Sequence, residues 1–197
     1  MVFDSYIRDN KDAVIAKIVR IAGLIGCPKP DWFNILFYLE SGVNPKAVNW
    51  QKGDPGSANP SKDTDAARRQ RCVKRATGIF QCMPSTARAI GTTTQALYDM
   101  NTLQQLDYYY KYLQLLGAKN RIKSFYDLYI INFYPVALGK ADNFVMVGAA
   151  VAAQNSSLDL NHNGAITVGE FKQSIDNRLK SVKTAYDFVI ETVKKKV

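Results

Sequence analysis

Residues 32–48 read Trp32-Phe33-Asn34-Ile35-Leu36-Phe37-Tyr38-Leu39-Glu40-Ser41-Gly42-Val43-Asn44-Pro45-Lys46-Ala47-Val48. Seven of the eight residues before Glu40 are apolar. A helix apolar on all sides is a buried helix. Pro28-Lys29-Pro30 separates it from what precedes, Asp31 is placed to cap it, and Gly42 is placed to end it in a left-handed turn. Glu40 is thereby delivered to the C-terminal end of a buried helix. Poor hydration and the negative pole of the helix dipole both disfavour its carboxylate and raise its pKa. A carboxyl that holds its proton near neutral pH is what general acid catalysis requires. On these residues alone, a Glu turned to solvent or paired with an arginine remains open.

A second stretch, Gly78-Ile79-Phe80-Gln81-Cys82-Met83-Pro84-Ser85-Thr86-Ala87, is neither an amphipathic helix nor a strand. Gln81 sits among apolar neighbours and needs hydrogen-bond partners, either backbone or a bound polar ligand. Phe80 and Met83 read as core or as the wall of a cleft. The two stretches together resemble the soluble lytic transglycosylases. Glu40-Ser41-Gly42-Val43-Asn44-Pro45-Lys46-Ala47-Val48 is similar to that family's catalytic motif, and 78–87 to its second motif. The resemblance implies a lysozyme-like fold and cleavage of peptidoglycan glycan strands. It makes Glu40 the acid and base, with Ser41, Phe80, Gln81 and Met83 lining the sugar cleft.

The family's third motif, Ala-Tyr-Asn-Ala-Gly, is altered. The corresponding helix reads Leu128-Tyr129-Ile130-Ile131-Asn132-Phe133-Tyr134-Pro135, followed by Gly139-Lys140. The tyrosine role falls to Phe133 by alignment or to Tyr134 by its hydroxyl; we take Tyr134. The Phe-Tyr-Pro variant resembles transglycosylase-like domains of phage virion proteins. A hydrolase would need a second carboxylate, at about 5–5.5 Å for retention or about 6.5–9.5 Å for inversion. Asp54, Asp63 and Asp65 are the candidates. Their loop also carries Arg68, Arg69, Arg71, Lys74 and Arg75, and looks more like a wall-facing surface or a poorly ordered insertion. The family's single-acid chemistry is therefore preferred, with hydrolytic muramidase action as the alternative.

Outward from these motifs, the chain has 197 residues and a formal charge of +9. It is long enough to bury a core without staples. The charge suits anionic polymers, bacterial wall among them. Nucleic acid has only that charge in its favour and no motif. Cys27, Cys72 and Cys82 have no zinc spacing and read as free thiols, with a Cys72–Cys82 bridge left open. The N-terminus lacks a basic start and apolar core, so no signal peptide is expected. The longest apolar run, Phe144 to Ala153, is ten residues, too short for the about 20 that cross a bilayer.

Apolar spacing predicts helices over 12–24, 32–39, 102–116 and 125–133, the last stopped or kinked by Pro135. It also predicts a buried helix over 144–154 and one long amphipathic helix over 168–196. The stripe of that long helix is Phe171, Ile175, Leu179, Val182, Tyr186, Val189 and Val193. No strong strand pattern is present. Residues 49–77 are polar and without periodicity, either a functional loop or disordered.

Asp159-Leu160-Asn161-His162-Asn163-Gly164-Ala165-Ile166-Thr167-Val168-Gly169-Glu170 fits the twelve-residue EF-hand pattern. Asp159, Asn161 and Asn163 take positions 1, 3 and 5, and Gly164 makes the turn at 6. Ala165 offers its carbonyl at 7, Thr167 acts through water at 9, and Glu170 binds at 12. Structural Ca2+ is expected, outside the catalytic chemistry. Some lytic transglycosylases also carry one EF-hand.

The expected fold is mainly α: a lysozyme-like lytic transglycosylase fold with a C-terminal EF-hand helix pair. The expected divisions are 1–30 as an N-terminal helical segment, 31–143 as the catalytic domain, and 144–197 as the calcium loop and last helix on the same core. The expected activity is cleavage of the N-acetylmuramic acid–N-acetylglucosamine β-1,4 bond. The setting is a phage particle acting at the cell wall or in the periplasm, with other virion or tail proteins as partners. An endolysin released from the host cytoplasm by a holin, and a non-catalytic virion component of the same fold, are the alternatives.

Overall fold

The computed structural model describes residues 1–59 and 61–194, with side chains through Ile190. Two compact units divide the chain at Asn120/Arg121.

The first unit begins with a 3-10 turn, Asp4–Tyr6, and then α1, Lys11–Ile25. The α1 stripe is Val14, Ile18, Ile21, Ala22 and Ile25, while Val19 and Leu24 face solvent. Gly26, at φ +68°, ends it. Helix α2, Asp31–Ser41, buries Trp32, Phe33, Asn34, Ile35, Leu36 and Phe37. Asp31 does not cap it. Pro30 holds the cap position, and the Asp31 carboxylate accepts the Val2 N–H at 2.7 Å. Asn34 donates back to the Val2 carbonyl at 2.7 Å, which satisfies one end of a buried amide. Gly42 closes α2 at φ +63°, its N–H on the Tyr38 carbonyl, as the sequence predicts.

Residues 49–77 are neither featureless nor merely charged. They contain α3, Asp65–Arg71, capped by Thr64. The arginines hold the loop from within. Arg71 makes a two-bond clamp on Asp63 at 2.6 and 2.5 Å, and Arg75 does the same on Asp54 at 2.7 and 2.8 Å. Arg69 pairs with Asp99, and Lys46 lies 3.7 Å from Asp65. Much of the basic charge expected to meet the wall is thus neutralised locally. Short helices α4, Pro84–Ala89, and α5, Thr94–Asp99, lead into α6, Thr102–Leu115. Helix α6 carries the full Asn101–Gln104 capping box and packs along α1. The rings of Phe33, Phe37, Phe80 and Tyr109 meet at 5.0–6.3 Å, mostly edge to face. Each such buried ring is worth roughly 1.5–3 kcal/mol of transfer free energy.

The second unit contains α7, Phe125–Phe133, which Pro135 follows with a 3-10 turn as expected. The predicted buried helix over 144–154 is corrected. The segment is β1, Val145–Val147, then a six-residue α8, Ala149–Gln154, of which only Ala152 is buried. Val145-Met146-Val147 pairs antiparallel with β2, Ile166–Thr167. β-Branched residues favour that pairing, and Gly148 starts the helix only after it.

The single long C-terminal helix is also corrected. It is α9, Val168–Lys180, and α10, Lys183–Lys194. Ser181 ends α9, its hydroxyl donating to the Arg178 carbonyl at 2.6 Å. Phe171, Ile175, Leu179 and Val189 are buried as expected, but after the break Ala185 is buried while Val182 and Tyr186 are only half-buried. Val193 lies outside the described side chains, and 195–197 outside the described residues.

Candidate active site

Glu40 is the penultimate residue of α2 and is half-buried. The turn beyond it is strained. Val43 is fully buried at φ +56°, a conformation that a β-branched residue rarely adopts. Gln81, in the second motif, is at φ +51°. Such backbone costs of order 1–3 kcal/mol per residue and persists only where its surroundings over-determine it.

Those surroundings are the contacts between the two motifs. The Ser41 hydroxyl lies 2.9 Å from the Phe37 carbonyl and 3.0 Å from that of Ile79. Gly78 N–H donates to the Ala47 carbonyl at 2.8 Å, and Val48 bridges Thr77 in antiparallel fashion. Thr77 in turn bridges Cys82, so the Gly78–Gln81 turn is a tight hairpin. Gln81 donates from Nε2 to the Gly78 carbonyl at 2.9 Å. Its side-chain carbonyl oxygen is left for another partner by that bond.

Phe80 is 2% exposed and packs on Tyr109, whereas Met83 is 50% exposed. The core reading fits Phe80; Met83 is too exposed for core and keeps the cleft-wall reading. The Tyr109 hydroxyl is buried with no hydrogen-bond partner. Burial pushes its pKa well above the ordinary phenol value, with Tyr112, Cys27 and Glu40 adding to the effect.

The loop acids are committed elsewhere. The Arg71 guanidinium bonded to Asp63 and the Arg75 guanidinium bonded to Asp54 hold both carboxyls below the ordinary value. Asp65 accepts the Tyr98 hydroxyl at 2.6 Å, and that bond lowers its pKa too. The cysteines are all free and buried, and burial pushes Cys27 to about 11 and Cys82 to about 12.

In the second unit, Tyr134 follows α7 directly and its N–H donates to the Ile130 carbonyl at 2.7 Å. Phe133 stacks on Phe171 at 4.7 Å, so its ring is engaged with α9. The 159–170 loop is wound on its own side chains. Asp159 accepts from the N–H of Asn163 at 3.1 Å and of Gly164 at 2.9 Å. Asn161 accepts from Asn163 at 3.0 Å, and Asn163 from Ala165 at 2.9 Å. Gly164 takes φ +80°. Glu170 accepts from Thr167 N–H at 3.0 Å and from the Thr167 hydroxyl at 2.8 Å. Among the described residues no three His, Cys, Asp or Glu side chains gather as a metal cluster. The loop instead offers two carboxylates with amide and carbonyl oxygens, a donor set suited to a hard cation.

Sequence reasoning missed Gln105, which is fully buried, and the Arg71–Asp63 clamp. The available signal for Gln105 was its position on the buried face of α6, in register with Thr102, Leu106 and Tyr109.

Residues 28–108 match the family model described as Transglycosylase SLT domain. The match lies wholly within the first unit and contains Glu40, Ser41, Gln81 and Gln105. That domain, matched over residues 28–108 of the 197, implies a peptidoglycan lytic transglycosylase. No curated protein and no solved structure matches the chain. No helix among the described residues is long and apolar enough to cross a membrane.

Proposed function

We propose that Glu40 is the sole acid and base, acting on the β-1,4 bond between N-acetylmuramic acid and N-acetylglucosamine. Protonated Glu40 gives its proton to the glycosidic oxygen as the bond to the muramic anomeric carbon breaks. The Glu40 carboxylate then takes the proton of the muramic 6-hydroxyl, whose oxygen bonds to that same carbon and closes an anhydro ring. Gln81 and Met83 are assigned to the glycan cleft, Gln81 through its side-chain carbonyl oxygen. Ser41 and Phe80 act from behind, by holding the Ile79 carbonyl and the aromatic cluster.

The observation that carries the single-acid reading is the state of Asp54, Asp63 and Asp65. Each is engaged by an arginine or a tyrosine and made less basic by that partner. A carboxylate so held is a poor base for activating water. The 6-hydroxyl, part of the bound sugar, reacts at high effective concentration. The expected products are anhydromuramyl ends, lighter by one water than hydrolytic fragments. Mass spectrometry of digested peptidoglycan tests this, and reducing muramic ends in nearly all fragments would make the enzyme a hydrolase.

We further propose that Asp159, Asn161, Asn163, the Ala165 carbonyl and Glu170 hold a structural Ca2+. Two anionic ligands place the affinity near 10⁻⁴–10⁻³ M on the order of extracellular sites. At about 10 mM calcium, mass action then adds roughly 1.4–2.7 kcal/mol to the unit that binds. Calorimetric melts with calcium and with chelator are expected to differ by several degrees. Equal melting temperatures without heat of binding would remove the site; loss of activity on chelation with the fold intact would overturn its purely structural role.

The setting we favour is a phage particle that carries the enzyme to the wall. The support is the resemblance of Phe133-Tyr134-Pro135 and Gly139-Lys140 to virion transglycosylase-like domains. Peptide mass spectrometry of purified particles decides it, and absence of the chain from them would end this reading.

A further inference from the structure

Gln105 is a polar side chain fully buried on α6, 65 residues along the chain from Glu40. Its amide uses both ends. The oxygen accepts the Ile79 N–H at 2.8 Å. The nitrogen donates to the Pro45 carbonyl at 2.8 Å and to the Leu97 carbonyl at 2.7 Å. Pro45 belongs to the turn that follows Glu40, and Ile79 to the turn that presents Gln81. Ile79 is held from its other side as well, since the Ser41 hydroxyl reaches its carbonyl at 3.0 Å. A ring of contacts results. It runs from Ser41 to Ile79, through the Gln105 amide to Pro45, and back along the chain to Ser41.

Gly78 shows how closely the parts fit. A Cβ on Gly78 would lie 2.4 Å from the Gln105 amide oxygen, and Gly78 has φ +84°. Only glycine accepts both conditions. The turn carrying Gln81 is therefore seated directly on the Gln105 amide. An apolar side chain of the same size would fill the space but would leave the Ile79 N–H and the Pro45 carbonyl without this partner. Buried backbone groups are seldom left so. The two turns would shift to find new partners, and they carry Glu40 and Gln81.

We propose that Gln105 is a positioning residue for catalysis, fixing the Glu40 turn relative to the Gln81 turn without touching substrate. The proposal rests on the assignment of Glu40 as the acid. A misplacement near 1 Å between a catalytic group and the reacting bond costs on the order of 10²-fold in rate. Because the whole cleft wall need not move, substrate affinity changes much less than turnover.

The test compares Gln105→Met and Gln105→Glu with the unaltered chain on solubilised glycan strands, well below the melting temperature of each protein. Gln105→Met is expected to lower kcat on the order of 10²-fold with KM within about threefold. Gln105→Glu has one acceptor for Ile79 but, when ionised, no proton for Pro45 or Leu97. Its rate relative to the unaltered chain is expected to rise as the pH falls and the carboxyl regains a proton, whereas the relative rate of Gln105→Met stays flat. A folded Gln105→Met with kcat within twofold of the unaltered chain would overturn the proposal. So would equal losses in kcat/KM carried entirely by KM, or failure of both variants to fold, which would make Gln105 a folding residue. An unaltered chain that cleaves no strands would overturn the enzymatic reading, and this proposal with it.

Discussion

Glu40→Gln is expected to abolish wall lysis and leave the fold unchanged. The substitution keeps the shape of the side chain and its capacity to accept and donate hydrogen bonds, but it removes the transferable proton. General acid–base transfer contributes on the order of 10²–10⁴-fold to rate, and here one group is asked to supply both halves. No other acid of the 49–77 loop stands ready, because Asp54 and Asp63 are clamped by arginine and Asp65 by Tyr98. The contacts that join the two motifs run through Ser41, Ile79 and Gly78, so the fold keeps its ties. Turbidity loss of purified walls measures activity, and circular dichroism with a thermal melt checks the fold. A folded variant that retains most of its lysis would remove Glu40 from the mechanism.

Arg71→Met is expected to cost the first unit about 3 kcal/mol of stability. Arg71 has five N–H groups, and all have acceptors: the Asn49, Pro55 and Val48 carbonyls at 3.2, 3.2 and 2.9 Å, and the two Asp63 oxygens at 2.6 and 2.5 Å. The side chains of Arg71 and Asp63 are 2% and 7% exposed. Removing one partner of a buried pair costs about 3–5 kcal/mol because the other charge stays buried. Arg68, 3.5 Å from Asp63, keeps the value at the lower end. The loss should lower the melting temperature by about 6–12 °C.

The pH dependence of the clamp follows from the direction of the Asp63 shift. Arg71 lowers the folded-state pKa of Asp63 below its ordinary 3.8. The group contributes stability that is fully present above the ordinary value. That stability is lost as the pH falls from there through the depressed folded value. The gap between the two proteins should therefore be wide at neutral pH and narrow in strong acid. Trp32 and Trp50, the chain's two tryptophans, both lie in the first unit, so fluorescence during denaturation follows that unit. A gap below about 1 kcal/mol at neutral pH, the scale of an exposed pair, would show that the clamp is not a buried one.

The helical framework was legible in the sequence wherever the signal was local. Helices α1, α2, α6 and α7 begin and end within a residue or two of their expected bounds, because apolar spacing and end signals such as Gly26 and Gly42 act over a single turn. The 144–154 segment failed because an apolar run of that length does not distinguish helix from strand. Its pairing partner, Ile166–Thr167, lies beyond the reach of a local pattern. The break between α9 and α10 failed for a related reason. The stripe of apolar residues passes across Ser181 and Val182 without showing that the chain turns there.

The sequence alone determined which residues are candidates for the chemistry: Glu40 at the end of an apolar helix, Gln81 in an apolar turn, and the oxygen donors at their places in the 159–170 loop. These depend on residue type and spacing along one short segment. Only the tertiary structure decided how the 49–77 loop uses its charges and what holds the two motifs against each other. The loop's arginines look like a surface for anionic wall until each is seen beside its aspartate. Gln105 looks like an ordinary polar residue until its amide is found between Pro45 and Ile79. Hydrogen bonds and ion pairs act over about 3 Å in space and carry no mark of sequence separation, so partners 26 and 60 residues apart leave no periodic trace in the chain.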